Sequence, residues 1–168
     1  MIVIAILGDI GAGKSYVANQ FGYPVFDADH EVNKIYKNNK ICFKRLKKKL
    51  PKYIKSFPLN KIELSNAILA SNNNLKKISN IVHPIVRKKM NLFFRKNKKK
   101  KLVVLDIPLL LENKIDNKNM VLVFVQSRKL DIIKRLKKRE NFNKKLFNKL
   151  KKIQLPLDYK KKKIPLYC

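Results

Sequence analysis

The chain has 168 residues, 45% of them hydrophobic, which suits one compact domain with a real core. Its formal charge of +30 is spread as lysine along the whole length, in the company of Asn and Ile that AT-rich codons supply, and no aromatic platform accompanies it. That pattern predicts attraction for anionic small ligands and no dedicated nucleic-acid partner, while the lack of any apolar run near ~20 residues predicts no membrane association.

Met1 opens directly into Ile2-Val3-Ile4-Ala5-Ile6-Leu7, with no basic region before this run and no small-residue cleavage site after it. The run predicts a strand buried on both faces rather than a signal peptide, and hence a cytoplasmic location. The turn that follows, Gly8-Asp9-Ile10-Gly11-Ala12-Gly13-Lys14-Ser15, fits G-x-x-x-x-G-K-[ST] at every fixed position. Glycines let the backbone wrap a phosphate with its amides turned inward, and the helix start adds a positive dipole end. Lys14 is expected to reach the outer phosphates, and Ser15 to offer its hydroxyl to Mg²⁺. Gly8, Gly11, Ala12, Gly13, Lys14, Ser15 and Tyr16 are therefore the candidate ATP-binding set.

A helix is predicted from Lys14 to about Phe21, a turn at Gly22-Tyr23-Pro24, and a short strand at Val25-Phe26. Asp27-Ala28-Asp29 then falls at a strand's carboxyl end, where ligands collect in open α/β sheets. Continued strand alternation would put both carboxylates on one side. One of Asp27 and Asp29 can orient or deprotonate an attacking hydroxyl while the other holds magnesium through water; either can instead cap the next helix.

From about Asp29 to Asn97 the pattern is helical and polar. Ile35, Phe43, Leu46 and Leu50 can form one apolar face, broken by Pro51 and Pro58. A short helix is predicted over Ile62–Ala70 and a longer one over Leu75–Arg95, with Pro84 near a bend or a helix start. Leu102-Val103-Val104-Leu105-Asp106 reads as a third buried strand and Val121–Val125 as a fourth. Asp106 is placed to act as a Walker-B-like magnesium ligand. Basic helices follow at Lys129–Arg139 and Asn143–Ile153. Strands alternating with helices predict a parallel sheet. Cys42 and Cys168 have no metal-type spacing and are expected to be reduced thiols.

Several segments, taken in order, resemble the dephospho-CoA kinase family. They are the Gly8–Ser15 loop, Phe26-Asp27-Ala28-Asp29, Ile81-Val82-His83-Pro84-Ile85-Val86-Arg87, Ile107-Pro108-Leu109-Leu110-Leu111-Glu112-Asn113, Arg135-Leu136-Lys137-Lys138-Arg139 and, weakly, Gln154-Leu155-Pro156-Leu157. The resemblance implies an α/β fold of the P-loop NTPase type: a three-layer parallel sheet with a helical substrate-binding insertion and a helical lid. Residues 1–168 would form a single kinase domain. Its core would span 1–28 and 99–134, its CoA-side insertion 29–98 and its lid region 135–160. It further implies transfer of the ATP γ-phosphoryl group, with Mg²⁺, to the 3′-hydroxyl of dephospho-CoA; the chain is expected to act as a monomer. Asp29 would be the base, with Lys14 and Asp27 assisting. His83, Arg87, Pro108, Leu109, Glu112 and Asn113 would line the acceptor side, and Arg135 and Arg139 would close over ATP. Glu112 can also simply pair with a lysine, and the two arginines can be a solvated face.

The sequence departs from the family pattern at Leu7, Asp9, Asn33 and Lys61. Lys160–Lys163 run into Ile164-Pro165-Leu166-Tyr167-Cys168 where the family continues with a strand and a helix, so that strand and helix are expected to be missing and a sheet edge left open. Two rival functions remain at this point: another small-molecule P-loop kinase, such as a nucleoside or nucleoside-monophosphate kinase, and a basic RNA-binding protein with a vestigial nucleotide site.

Overall fold

A computed structural model describes residues 1–113, 115–116, 119–138 and 142–164. In chain order its elements are β1 (Ile2–Gly8), α1 (Lys14–Gln20), β2 (Val25–Asp27), α2 (Ala28–Asn38), α3 (Lys40–Lys49), α4 (Lys61–Ala70), α5 (Asn72–Lys96), β3 (Leu102–Asp106), β4 (Met120–Val125), α6 (Lys129–Lys137), α7 (Lys144–Ile153) and α8 (Leu157–Lys162). The chain divides into two compact units, Met1–Ala28 with Lys96–Cys168, and Asp29–Arg95.

The first unit is built on a parallel sheet of order β2-β3-β1-β4. β1 and β3 are its central strands, and their unbroken apolar runs follow from that position, since a central parallel strand is covered on both faces. Ile4, Ala5, Ile6 and Leu7 are buried, as are Val103, Val104 and Leu105. Ile4, Ile6, Val104 and Ala18 of α1 form one apolar cluster, with Phe21, Val25 and Val123 packed against it. The register sets Val25 opposite Val104 and Asp27 opposite Asp106, so β2 and β3 end side by side on a pair of carboxylates. Among the described residues β4 pairs only with β1, and its apolar residues are mostly half-buried.

The second unit is helical. Its core joins Ile35, Cys42, Leu46, Leu50, Ile54, Leu59, Leu64, Ala67, Ile78 and Val82. Fully burying each of the larger side chains contributes about 1.5–3 kcal/mol. Burial pushes the Cys42 thiol up to about 11, which suits an inert core residue; Cys168 lies outside the described residues.

Three local expectations change. The first part of the helical pattern, as far as Leu50, is two helices, because Asn39 takes an extended conformation and its side chain accepts the Cys42 amide at 2.8 Å, capping α3. The long helix starts at Asn72, not Leu75, and Pro84 lies inside it. The missing proline N–H costs one helical bond, which burial of Ile78 and Val82 offsets. Finally, α8 occupies a stretch that reads in sequence as a plain lysine run.

Candidate active site

The Gly8–Ser15 turn joins β1 to α1, as its pattern requires. Two glycines show why no other residue serves. A Cβ on Gly8 would lie 2.5 Å from the carbonyl oxygen of Val125, so the loop leaves the sheet against bare β4 backbone. Gly13 caps α1 in the left-handed region, at φ 93°. The Lys14 amine curls back over the turn, donating to the Asp9 carbonyl at 2.8 Å and reaching that of Gly8 at 3.5 Å.

Behind the loop, the Ser15 hydroxyl donates to the carboxylate of Asp106, which is only 4% exposed. Burial raises the Asp106 pKa above its usual range and the Asp27 charge adds to this, against the lowering effects of Ser15 and Lys14. A buried carboxylate held at the cost of its own solvation, next to a like charge, makes Asp106 a candidate functional group. The continued strand expected to put Asp27 and Asp29 on one side does not form. The strand stops at Asp27, and Asp29 sits exposed in the first turn of α2. The strand-end partner of Asp27 is Asp106, supplied by register.

The outer side of the loop is held by residues from the far end of the chain. The Arg135 guanidinium on α6 donates to the Ala12 carbonyl at 3.1 Å and to Ser127 Oγ at 3.2 Å, and lies 3.4 Å from the Gly11 carbonyl. Ser127 donates to Ala12 at 2.8 Å, and the Gln154 amide donates to Gly8 at 3.0 Å. Sequence reasoning missed Ser127 as a site residue and had Gln154 only in a weak motif. Ser127 had one signal, its place just beyond the carboxyl end of a strand. Asp9 accepts the Ile10 amide at 2.7 Å and lies 3.7 Å from the Lys151 amine on α7. A cavity of about 470 Å³ opens beside the loop, with Asp9, Ser127, Lys151 and Gln154 on its walls. Tyr16 projects from α1 at 71% exposure. Arg139 lies outside the described residues.

After β3 the chain turns sharply. Leu109 has φ 59°, a conformation that costs a branched side chain about 1–3 kcal/mol. The turn is held by the Asn113 amide donating to the Leu109 carbonyl at 3.0 Å, and by burial of Leu110 and Leu111. Pro108 and Asn113 are half-buried. Glu112 is engaged within the protein: its Oε1 receives the Lys160 amine at 2.7 Å and the Leu155 amide at 2.8 Å. In the helical unit, His83 and Arg87 lie one turn apart on α5. Burial lowers the His83 pKa, and the Arg87 charge lowers it further.

Among the described residues no three His, Cys, Asp or Glu side chains gather into a metal site. Ser15 and Asp106 nonetheless form a hard oxygen pair beside a phosphate-type loop. Such a donor set suits Mg²⁺, which takes few protein ligands and completes its shell with phosphate oxygens and water.

A parallel sheet, a Walker-type loop between its first strand and first helix, and a serine paired with a strand-end aspartate define the P-loop class of nucleotide-binding proteins. A family model for dephospho-CoA kinase matches residues 2–165, and the chain belongs to that family. The dephospho-CoA kinase of Wolbachia pipientis wMel is 36% identical over 166 residues, covering 96% of this chain and 85% of the relative. That of Bartonella henselae is 37% identical over 153 residues, covering 88% and 77%. Among solved structures, TT1252 from Thermus thermophilus is similar with a TM-score of 0.75 and 28% identity, over 97% of this chain and 85% of that one. The dephospho-CoA kinase from Campylobacter jejuni, at 20% identity and a TM-score of 0.58 over 97% and 84%, shares the fold.

Proposed function

We propose that this chain transfers the γ-phosphoryl group of ATP to the ribose 3′-hydroxyl of dephospho-CoA, giving CoA and ADP. The observation that carries the reading is the Ser15–Asp106 contact beneath a complete phosphate loop, in a chain that matches the family over 2–165.

Loop amides and the Lys14 amine bind the phosphates and neutralise their charge. Ser15 and Asp106 would hold Mg²⁺, which supplies further neutralisation of phosphate charge when bound. Asp27, beside Asp106 in the sheet register, keeps the local field negative and favours a cation there. Arg135 is already fastened to the loop by Gly11, Ala12 and Ser127 and closes over the nucleotide, excluding water that would otherwise hydrolyse ATP. Asp29, exposed and in a helix's first turn, takes the proton of the acceptor hydroxyl. His83 and Arg87 bind the acceptor, helped by Pro108, Leu109 and Asn113.

The positive charge recruits these anionic substrates and needs no nucleic-acid partner. The enzyme works as a monomer in the cytoplasm. No helix among the described residues is long and apolar enough to cross a membrane. The decisive measurement is ADP release with and without dephospho-CoA. Release that depends on the acceptor is expected, and ATP turnover indifferent to it would overturn the reading.

A further inference from the structure

α8 has six residues and one buried side chain, and that side chain is a lysine. Lys160 is 2% exposed, while Leu157 and Tyr159 on the same helix stand exposed at 36% and 47%. An apolar residue would anchor the helix without a partner; a buried lysine requires a carboxylate, and Glu112 supplies it at 2.7 Å. The same Glu112 oxygen accepts the Leu155 amide at 2.8 Å, so one carboxylate holds α8 and the segment leading into it. Its other oxygen, Oε2, is buried without a hydrogen-bond partner among the described residues, so the carboxylate is committed to this one direction.

The residue before Leu155 is Gln154, and its amide donates to the Gly8 carbonyl at 3.0 Å. Gly8 is thus hemmed in by β4 backbone, at the Val125 carbonyl, on the side a Cβ would occupy, and its own carbonyl, the first of the phosphate loop, is held by the Gln154 amide. Lys14 reaches that carbonyl at 3.5 Å, so a shift of Gly8 passes directly to the lysine amine.

We propose that Glu112, Lys160 and Gln154 form a clamp that sets the start of the phosphate loop, with Gln154 a positioning residue for ATP that acts through Gly8. This rests on the reading of the loop as the ATP site. It moves Glu112 from the acceptor side to the nucleotide side. Loss of the clamp weakens ATP binding and leaves the acceptor's KM and kcat at saturating ATP nearly unchanged.

Calorimetric binding of ATP with Mg²⁺ tests the clamp, with steady-state ADP release and thermal melting alongside. Gln154→Ala removes one partly buried hydrogen bond and is expected to weaken ATP about 3–10-fold, with the melting temperature held. Gln154→Glu keeps the shape but sets a carboxylate against the Gly8 carbonyl, and is expected to weaken ATP further. Lys160→Met should show the same pattern more strongly, and adding Glu112→Gln should recover part of the loss by removing the stranded charge.

Unchanged ATP affinity in both Gln154 variants overturns the clamp. So does a rise in the acceptor's KM with ATP unaffected in Glu112→Gln, which would return Glu112 to the acceptor side. Parallel loss of all parameters with the folded fraction would make the pair merely structural. If the wild type binds ATP but shows no acceptor-dependent ADP release, the proposed reaction fails while the binding measurements still decide the clamp.

Discussion

The two units solve opposite problems. The helical unit buries an unbroken apolar set, Ile35 to Val82 in sequence, and keeps Asp29 and Arg87 exposed. The sheet unit holds Asp106 and Lys160, which are buried, and the Glu112 side chain, which is 7% exposed. A buried charge costs several kcal/mol unless it is paired, so a fold keeps one only where it has a use. Buried charge therefore marks the half of the molecule proposed to handle phosphate, and exposed polar groups mark the half proposed to present the acceptor.

That contrast can be broken first at the proposed catalytic groups. Lys14→Ala and Asp29→Asn are each expected to lower turnover by at least about 100-fold, the scale of one lost electrostatic or acid–base contribution. Near-normal rates in Asp29→Asn would take the base role away from the helical unit. Leu46→Ala is expected to do the reverse. It opens a cavity in a fully buried site and should cost about 2–5 kcal/mol of stability, while kcat per folded molecule stays constant. Urea unfolding and active-site titration separate the two quantities.

Asp106→Asn sharpens the contrast, because function and stability should move in opposite directions. The folded-state pKa of Asp106 is raised from its usual value of 3.8, so the charged form penalises the fold. Below that usual value the carboxyl is protonated in both states and the penalty is absent. The penalty builds as pH rises from that usual value to the folded-state value, and is complete above it. The asparagine variant should melt higher than wild type at pH 7, lose that advantage in acid, and turn over at least about 10-fold more slowly. A variant that melts lower at pH 7 would make Asp106 a structural residue.

Much of this was legible from local pattern. The loop and the strands announce themselves within a few residues, because a continuous apolar run ending in glycines has few other solutions. What was not legible is non-local or rests on single polar side chains. Asp27 meets Asp106 only through parallel register, which no spacing in the chain reveals. Asn39 splits a helical pattern with one side-chain hydrogen bond. α8 hides because its anchor is Lys160, and a buried lysine inverts the apolar stripe by which helices are read. Ser127 and Gln154 belong to no strong motif and enter the site only because β4 and α8 bring them back to the loop.

The smallest expected effect lies inside the loop itself, at Asp9. Its carboxylate is 13% exposed and accepts the Ile10 amide at 2.7 Å, so it occupies a loop donor that a phosphate oxygen would otherwise take. It also places negative charge where the substrate's negative charge must go. Lys151 lies 3.7 Å away but is 55% exposed, and such a pair contributes at most about 1 kcal/mol. Asp9→Gly should therefore lower the KM for ATP by about 2–3-fold, since the freed amide and the removed repulsion act in the same direction. Stability should fall by no more than about 1 kcal/mol, from the lost ion pair and the added freedom of the unfolded chain. The part of the KM difference that comes from charge should shrink in 0.5 M salt, where screening reaches only about 4–5 Å. A KM that rises instead would mean that Asp9 holds the loop in its binding shape through Ile10, and that the sheet unit uses even this carboxylate to bind phosphate.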